Sequence, residues 1–149
     1  MKIQRFEDLQ ARQQARVLAN MVYNAAEQGS FAKDFKLRNQ ICDAAGSVMH
    51  NCAEGFDSGF DNEFVVFLKY ARRSASEVQS EGCLALGRKY IDEIAFRQIY
   101  DKATETKKII MLSSLIFDEA NLERNPLDSR TKRPLDYPTM RLSCWISLT

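Results

Sequence analysis

Ser47-Val48-Met49-His50-Asn51-Cys52-Ala53-Glu54-Gly55-Phe56, followed by Asn62-Glu63-Phe64-Val65-Val66-Phe67-Leu68-Lys69-Tyr70-Ala71-Arg72-Arg73-Ser74-Ala75-Ser76-Glu77, decides the fold. The first run ends one apolar stripe of helical period and the second begins another, so the stretch reads as a joint between two helices. Gly55 is the expected stop of the first, because glycine readily takes the left-handed conformation that closes many helices. Glu54 beside it is unusual there, since a helix C-terminus is partially negative and favours cations. The exposed N–H groups opening the next helix are the nearest donors for that carboxylate. Ser58-Gly59-Phe60-Asp61 has the spacing of a capping box, with Ser58 accepting from the backbone near Asp61.

Working outward, two helices lie before the joint and two follow it. Over 8–28, Ala11, Ala15, Leu18, Val22 and Ala25 recur at spacings of three and four, and Gly29-Ser30 interrupts the pattern. A short connector, in which Phe31 and Phe35 can close the end of a bundle, leads to a second helix over 34–53 with Leu37, Ile41, Ala44, Val48 and Cys52 on one stripe. Gly46 in that helix reads either as a tight interhelical or intersubunit contact or as a tolerated weak point. The third helix reaches about residue 86 through Phe64, Leu68, Ala71, Ala75, Val78, Gly82 and Ala85, with Gly87 as its cap and Arg88-Lys89 at its negative end. Asp92 is the N-cap of a fourth helix to about residue 120 through Phe96, Ile99, Ala103, Thr106, Ile110, Ser113 and Phe117. Short connectors favour antiparallel neighbours, so the expected fold is an all-α, up-down-up-down four-helix bundle over residues 1–122.

Between Ile109 and Phe117 apolar residues cover nearly the whole circumference of the fourth helix, more than one bundle core can bury. Either the following segment or another subunit must cover the surplus. Residues 123–149 differ in kind. They hold all three prolines and the polar run Asp128-Ser129-Arg130-Thr131-Lys132-Arg133, and read as a flexible or docked extension ending in the apolar segment around Trp145, the only tryptophan.

Twenty-one basic and twenty acidic side chains give a formal charge of +1, so no global field for nucleic acid or membrane follows from the total. Local patches are a separate matter. Cys42, Cys52, Cys83 and Cys144 show no zinc-ligand spacing, which argues against a metal; Cys42, Cys52 and Cys83 fall in helical, partly apolar patterns and read as buried reduced thiols, which suits the cytoplasm. The N-terminus lacks an apolar signal core and no segment is long and apolar enough to span a bilayer, so a cytoplasmic protein without membrane contact is expected.

Catalysis has little to stand on. His50 is the only histidine and has no nucleophile motif beside it. Glu54, Glu63 and Glu77 lack the Glu-x-x-His pairs of di-iron bundles, and no glycine-rich phosphate loop is present. The expectation is a non-enzyme without cofactor or metal. Nucleic-acid binding has more support. Lys69, Arg72 and Arg73, then Arg88 and Lys89, then Lys107 and Lys108 form basic clusters on helices, and phosphate recognition needs several such cations on one face.

Asn51, Ala53-Glu54-Gly55, Glu63-Phe64, Phe67-Leu68, Ala71, Ser74 and Glu77 together resemble the signature of the four-helix-bundle proteins encoded in 23S ribosomal RNA intervening sequences, the S23 family. The likeness extends upstream to Phe6-Glu7-Asp8-Leu9, Ala15 and Tyr23, and downstream to about Phe117. The family's tryptophan after the Asp-Leu pair is replaced near Arg12 and Gln13, and its isoleucine-proline pair by Val48-Met49. The family is similar to the accessory bundle proteins of diversity-generating retroelements. That resemblance implies a homopentamer, with RNA or DNA and a reverse transcriptase as partners. Two functions therefore stand side by side: a non-catalytic oligomeric scaffold that binds nucleic acid, and an adaptor that binds a protein such as a reverse transcriptase. The resemblance marks Asn51, Glu54, Gly55, Ser58, Glu63, Phe64 and Glu77 as structural positions.

Overall fold

The computed structural model describes residues 5–59 and 61–124, with side chains to 118. A 3-10 turn at Phe6–Asp8 precedes α1 (Gln10–Ala26). A second at Phe31–Lys33 precedes α2 (Phe35–Asp57), and α3 (Asp61–Gly87) and α4 (Glu93–Arg124) complete an antiparallel up-down-up-down bundle. Each helix packs on its neighbour in sequence, and α1 against α4 closes the ring. The predicted stripes are the buried ones. Leu18, Val22, Ile41, Val48, Leu68, Val78 and Ile110 are all at most 1% exposed, because their three-and-four spacing puts them on the inward faces.

The core divides along the bundle axis. Around the α1–α2 and α3–α4 connections, Leu18, Val22, Phe31, Ile41, Val78, Ile91 and Ile99 form one cluster. Toward the α2–α3 turn, Leu9, Val48, Cys52, Phe64, Leu68 and Ile110 form the other.

At the connection end, Asp34 caps α2 by accepting from the Leu37 N–H at 3.1 Å. Its other carboxylate oxygen accepts from the Tyr90 hydroxyl at 3.1 Å and lies 3.7 Å from Arg88 Nε. The Tyr90 ring stacks on buried Phe31, centroids 5.3 Å apart. Thus Phe31 closes this end as expected, whereas Phe35 is 63% exposed with the Arg38 guanidinium over its ring, because Tyr90 occupies the position against Phe31. Asp92 caps α4 as expected, accepting from Ala95 N–H at 2.8 Å. The close of α3 differs from expectation. The left-handed residue is Lys89, with φ 60°, rather than Gly87. Tyr90 N–H donates to Ala85 O and Lys89 N–H to Leu86 O, both at 2.9 Å, the paired bonds of a Schellman motif.

The joint at the other end corrects the reading of Gly55. This residue lies within α2, which continues to Asp57, and it is buried. A β-carbon there would stand 2.7 Å from Phe67 Cβ and 2.9 Å from Phe64 Cδ2, so the glycine serves the close approach of α2 and α3. Gly59, two residues beyond the helix, takes the positive φ of 74° that the turn needs. Ser58 faces back to α2, its hydroxyl donating to Gly55 O at 2.7 Å, instead of opening α3; Phe60 of the expected capping box lies outside the described residues. Gly46 is not a tight contact between helices of the chain: a β-carbon would meet only His50 Cε1 at 3.8 Å and the Tyr23 hydroxyl at 4.0 Å. The extension at 125–149, with Trp145 and Cys144, also lies outside the described residues.

Candidate nucleic-acid interface

The seven cations singled out from sequence occupy two places. Lys69, Arg72 and Arg73 are exposed on α3, and Lys107 and Lys108 lie on α4. The buried Gln79 relates the two helices. Its Nε2 donates to Tyr100 O at 3.1 Å and to Thr104 Oγ1 at 2.8 Å, while its Oε1 accepts from Lys107 Nζ at 3.1 Å. Residue 79 therefore stands level with 100–107. Arg72 is seven residues earlier, two turns along the same face, and in an antiparallel pair that places it level with 107–114. Arg72 and Lys107 therefore lie on the side of the α3–α4 pair that Gln79 marks, while Lys69, one further turn along, and Lys108 are turned farther toward solvent. Arg73 lies seven residues from Val66 and is directed farther outward, on the same side as that exposed apolar residue.

Arg88 and Lys89 are apart from this flank. Fifteen residues of helical rise separate Arg88 from Arg73, about 22 Å. Their local roles are also structural. Arg88 faces Asp34 and Tyr90, and Lys89 holds the left-handed position that closes α3.

Ion pairs among the described residues join Arg5 to Glu7, Arg88 to Asp34 and Lys102 to Glu105. Lys69, Arg72, Arg73, Lys107 and Lys108 have no described carboxylate within 4.0 Å. Lys69, Arg72, Arg73 and Lys108 are exposed and thus electrostatically available, whereas Lys107 is half-buried and donates to Gln79. A helix spaces residues three and four apart by about 5–6 Å between β-carbons, so successive turns can present a row of cations to a polyanionic backbone.

The opening stretch is redistributed over two faces. Asn51 Nδ2 donates to Ser47 O at 2.7 Å and to Ser47 Oγ at 3.0 Å, and Ser74 Oγ donates to Ser47 Oγ at 3.1 Å, a polar stitch between α2 and α3. Glu54 is exposed and has no hydrogen bond to the start of α3 among the described residues, because α2 extends past it by another turn. Instead it lines an open groove of about 350 Å³ beside α1, together with Tyr23, Asp43, Gly46, exposed His50 and Asn51. Phe64 is core, packed edge-on against Phe117 at 4.7 Å and Phe56 at 6.4 Å, whereas Glu63 and Glu77 are exposed on α3.

The thiols differ by burial. Desolvation pushes the Cys52 thiol up to about 12 and raises that of Cys42, as expected of buried thiols, whereas Cys83, also expected to be buried, is exposed because it lies off the inward stripe of Val78, Gly82 and Ala85. Among the described residues, no helix is long and apolar enough to cross a membrane.

Reasoning from sequence misses Gln79 and Tyr90. Gln79 follows Val78 of the core stripe and stands out only as a polar residue at the edge of that stripe. Tyr90 offers no signal, since its partner Asp34 is 56 residues away.

The family model of the 23S rRNA-intervening sequence protein matches residues 7–112. A solved structure of a protein of unknown function from the S23 ribosomal protein family of Bacteroides thetaiotaomicron VPI-5482 is similar in fold, with a TM-score of 0.65 at 20% sequence identity. The similarity covers 70% of this chain and 94% of that one. No curated protein matches significantly.

Proposed function

Because the chain belongs to the 23S rRNA-intervening sequence protein family, we propose that it is a non-catalytic, cytoplasmic homo-oligomeric scaffold, a pentamer, that binds RNA or DNA. The observation that carries this reading is the set of cations on α3 and α4 without a described carboxylate partner. Cations already committed to carboxylates would have to exchange one partner for another. These instead can displace the counterions of a phosphate backbone, the main source of sequence-independent affinity. Self-association would cover apolar side chains left exposed on α1 and α3, namely Val17, Val66 and Tyr70.

Binding of a structured RNA is tested by titration over a range of salt concentrations. Arg72→Ala combined with Lys108→Ala should weaken binding and lower the slope of log affinity against log salt by about 1 for each phosphate that is no longer neutralised. Arg88→Ala should leave that slope unchanged. Undiminished affinity in the Arg72/Lys108 variant, or no binding at low salt, overturns the assignment. Light scattering should give a multiple of the 17.1 kDa chain, and a monomer at micromolar concentration overturns the oligomer.

Val66, Tyr70 and Leu84, exposed on α3 beside Arg73, favour a second reading, an adaptor for a protein partner such as a reverse transcriptase. Copurification of such a partner that survives nuclease and high salt selects the adaptor.

A further inference from the structure

The outward face of α3 carries a second stripe of helical period. Val66, Tyr70, Arg73, Glu77, Ser80 and Leu84 are all exposed and recur at spacings of four, three, four, three and four, the pattern of a coiled-coil seam, on the side opposite buried Leu68, Ala75 and Val78. The stripe runs for about 27 Å of helical rise. Its apolar members, Val66, Tyr70 and Leu84, are 43%, 47% and 53% exposed. The Tyr70 ring meets Phe67 edge-on, centroids 6.2 Å apart, a contact that limits the freedom the ring would lose on binding. Tyrosine is a frequent anchor of protein interfaces.

The stripe matches itself when reversed. Val66 and Leu84 stand nine residues either side of Ala75, Tyr70 and Ser80 five, and Arg73 and Glu77 two. An antiparallel copy of α3 with the two-fold axis at Ala75 therefore sets Val66 against the partner's Leu84, large Tyr70 against the partner's small Ser80, and Arg73 against the partner's Glu77, each contact being made twice. The charges are free for it. Neither Arg73 nor Glu77 has an ion pair among the described residues, and with the basic residue first they stand in the weaker orientation for an i, i+4 pair within one helix. The outward stripe of α4 provides the contrast. Ile94, Gln98, Asp101, Glu105, Lys108 and Leu112 are exposed at the same spacings, but reversal sets Asp101 against the partner's Glu105, and like charges opposed across an interface are unfavourable.

We propose that the outward face of α3 pairs with that of a second copy of this chain, antiparallel about Ala75, through reciprocal contacts of Arg73 with Glu77 flanked by Val66, Tyr70 and Leu84. The two helices cross at the shallow angle of heptad packing, about 20°, which keeps the stripe in contact along its length. The pairing rests on the proposed self-association and names one face of it. Being two-fold, it joins one ring to another where the copies also form a ring of five. It takes Arg73 out of the phosphate-binding set and leaves Arg72 and Lys108 outside the contact.

The test is a charge exchange read by light scattering on the nuclease-treated full chain at micromolar concentration. Arg73→Glu and Glu77→Arg each oppose like charges across the axis and should halve the particle mass relative to wild type. An equimolar mixture of the two variants places opposite charges against each other only between unlike chains, and should return the mass to that of wild type. The double variant Arg73→Glu/Glu77→Arg should do the same. Both positions are exposed, so the far-ultraviolet circular dichroism should match wild type throughout. Single variants with the wild-type mass, or a mixture that stays at half of it, overturn the pairing and leave self-association through other faces, or a different protein on this face, in its place. A monomeric wild type overturns self-association and the pairing together. A wild-type dimer halved by Arg73→Glu supports the pairing and overturns the ring of five.

Discussion

The two ends of the bundle are held by different means. At the connection end, side chains reach across: Asp34 joins the start of α2 to the α3–α4 turn through Tyr90 and Arg88, and Phe31 stacks beneath Tyr90. At the α2–α3 end the backbones themselves come close, with Gly55 against Phe64 and Phe67. The first arrangement distributes stability over several groups, of which Asp34, Tyr90 and Arg88 are partly solvated. The second concentrates it in a volume that tolerates neither removal nor addition of atoms.

The greatest loss is therefore expected from Phe64→Ala. It removes a ring that is 3% exposed and packed on Phe56 and Phe117, and should cost about 3–5 kcal/mol in urea unfolding. Gly55→Ala follows, at about 1–3 kcal/mol, because the new methyl group meets a β-carbon and must separate the helices. Gly82→Ala provides the contrast. Its nearest contact is Phe96 at 3.8 Å, so alanine's greater helix propensity should make it neutral or stabilising. If both alanines behave alike in the same denaturation series, close packing does not distinguish the two ends.

At the connection end single changes should be smaller. Tyr90→Phe removes one hydrogen bond while keeping the stacked ring, and about 1 kcal/mol is expected. Lys89→Gly should stabilise by about 0.5–1 kcal/mol, since glycine relieves the left-handed conformation at modest entropic cost. It should leave RNA affinity unchanged, whereas a loss of affinity would return Lys89 to the phosphate-binding set.

The same end carries a pH dependence. The Leu37 N–H, followed by the Tyr90 hydroxyl and the Arg88 charge, holds the Asp34 carboxyl below its usual value of 3.8 against an opposing effect of desolvation. A depressed folded value means that the contribution is fully present above 3.8 and is lost as pH falls through the folded value. The stability difference between wild type and Asp34→Asn should accordingly narrow in strongly acidic solution. A gap independent of pH would show that Asp34 acts through its shape alone.

Most of the fold is legible in the sequence because helical periodicity records which face is buried, and the stripes through Leu18, Ile41, Leu68 and Ile110 are all inward. Gly55 is misread because glycine serves two purposes that look identical in one dimension, a left-handed cap and a close helix crossing. Its misreading carries Glu54 with it, since that carboxylate belongs to a groove wall and not to a helix end. Of the candidate cations, those on α3 and α4 can be grouped only once Gln79 establishes which turns stand level. Arg88 and Lys89 leave the group because the chain reversal gives them work that local sequence does not encode.

The close approach at Gly55 has a consequence for folding rates. α2 and α3 are joined by the shortest connection in the bundle and share the Ser47, Asn51 and Ser74 stitch, so their pairing closes the smallest loop. This hairpin is the expected nucleus, with α1 and α4 condensing onto it afterwards. Substitutions at Phe64 should therefore slow refolding, whereas those at Tyr90 should chiefly accelerate unfolding. Opposite arms of a denaturant chevron would separate the two ends in time as their packing separates them in space.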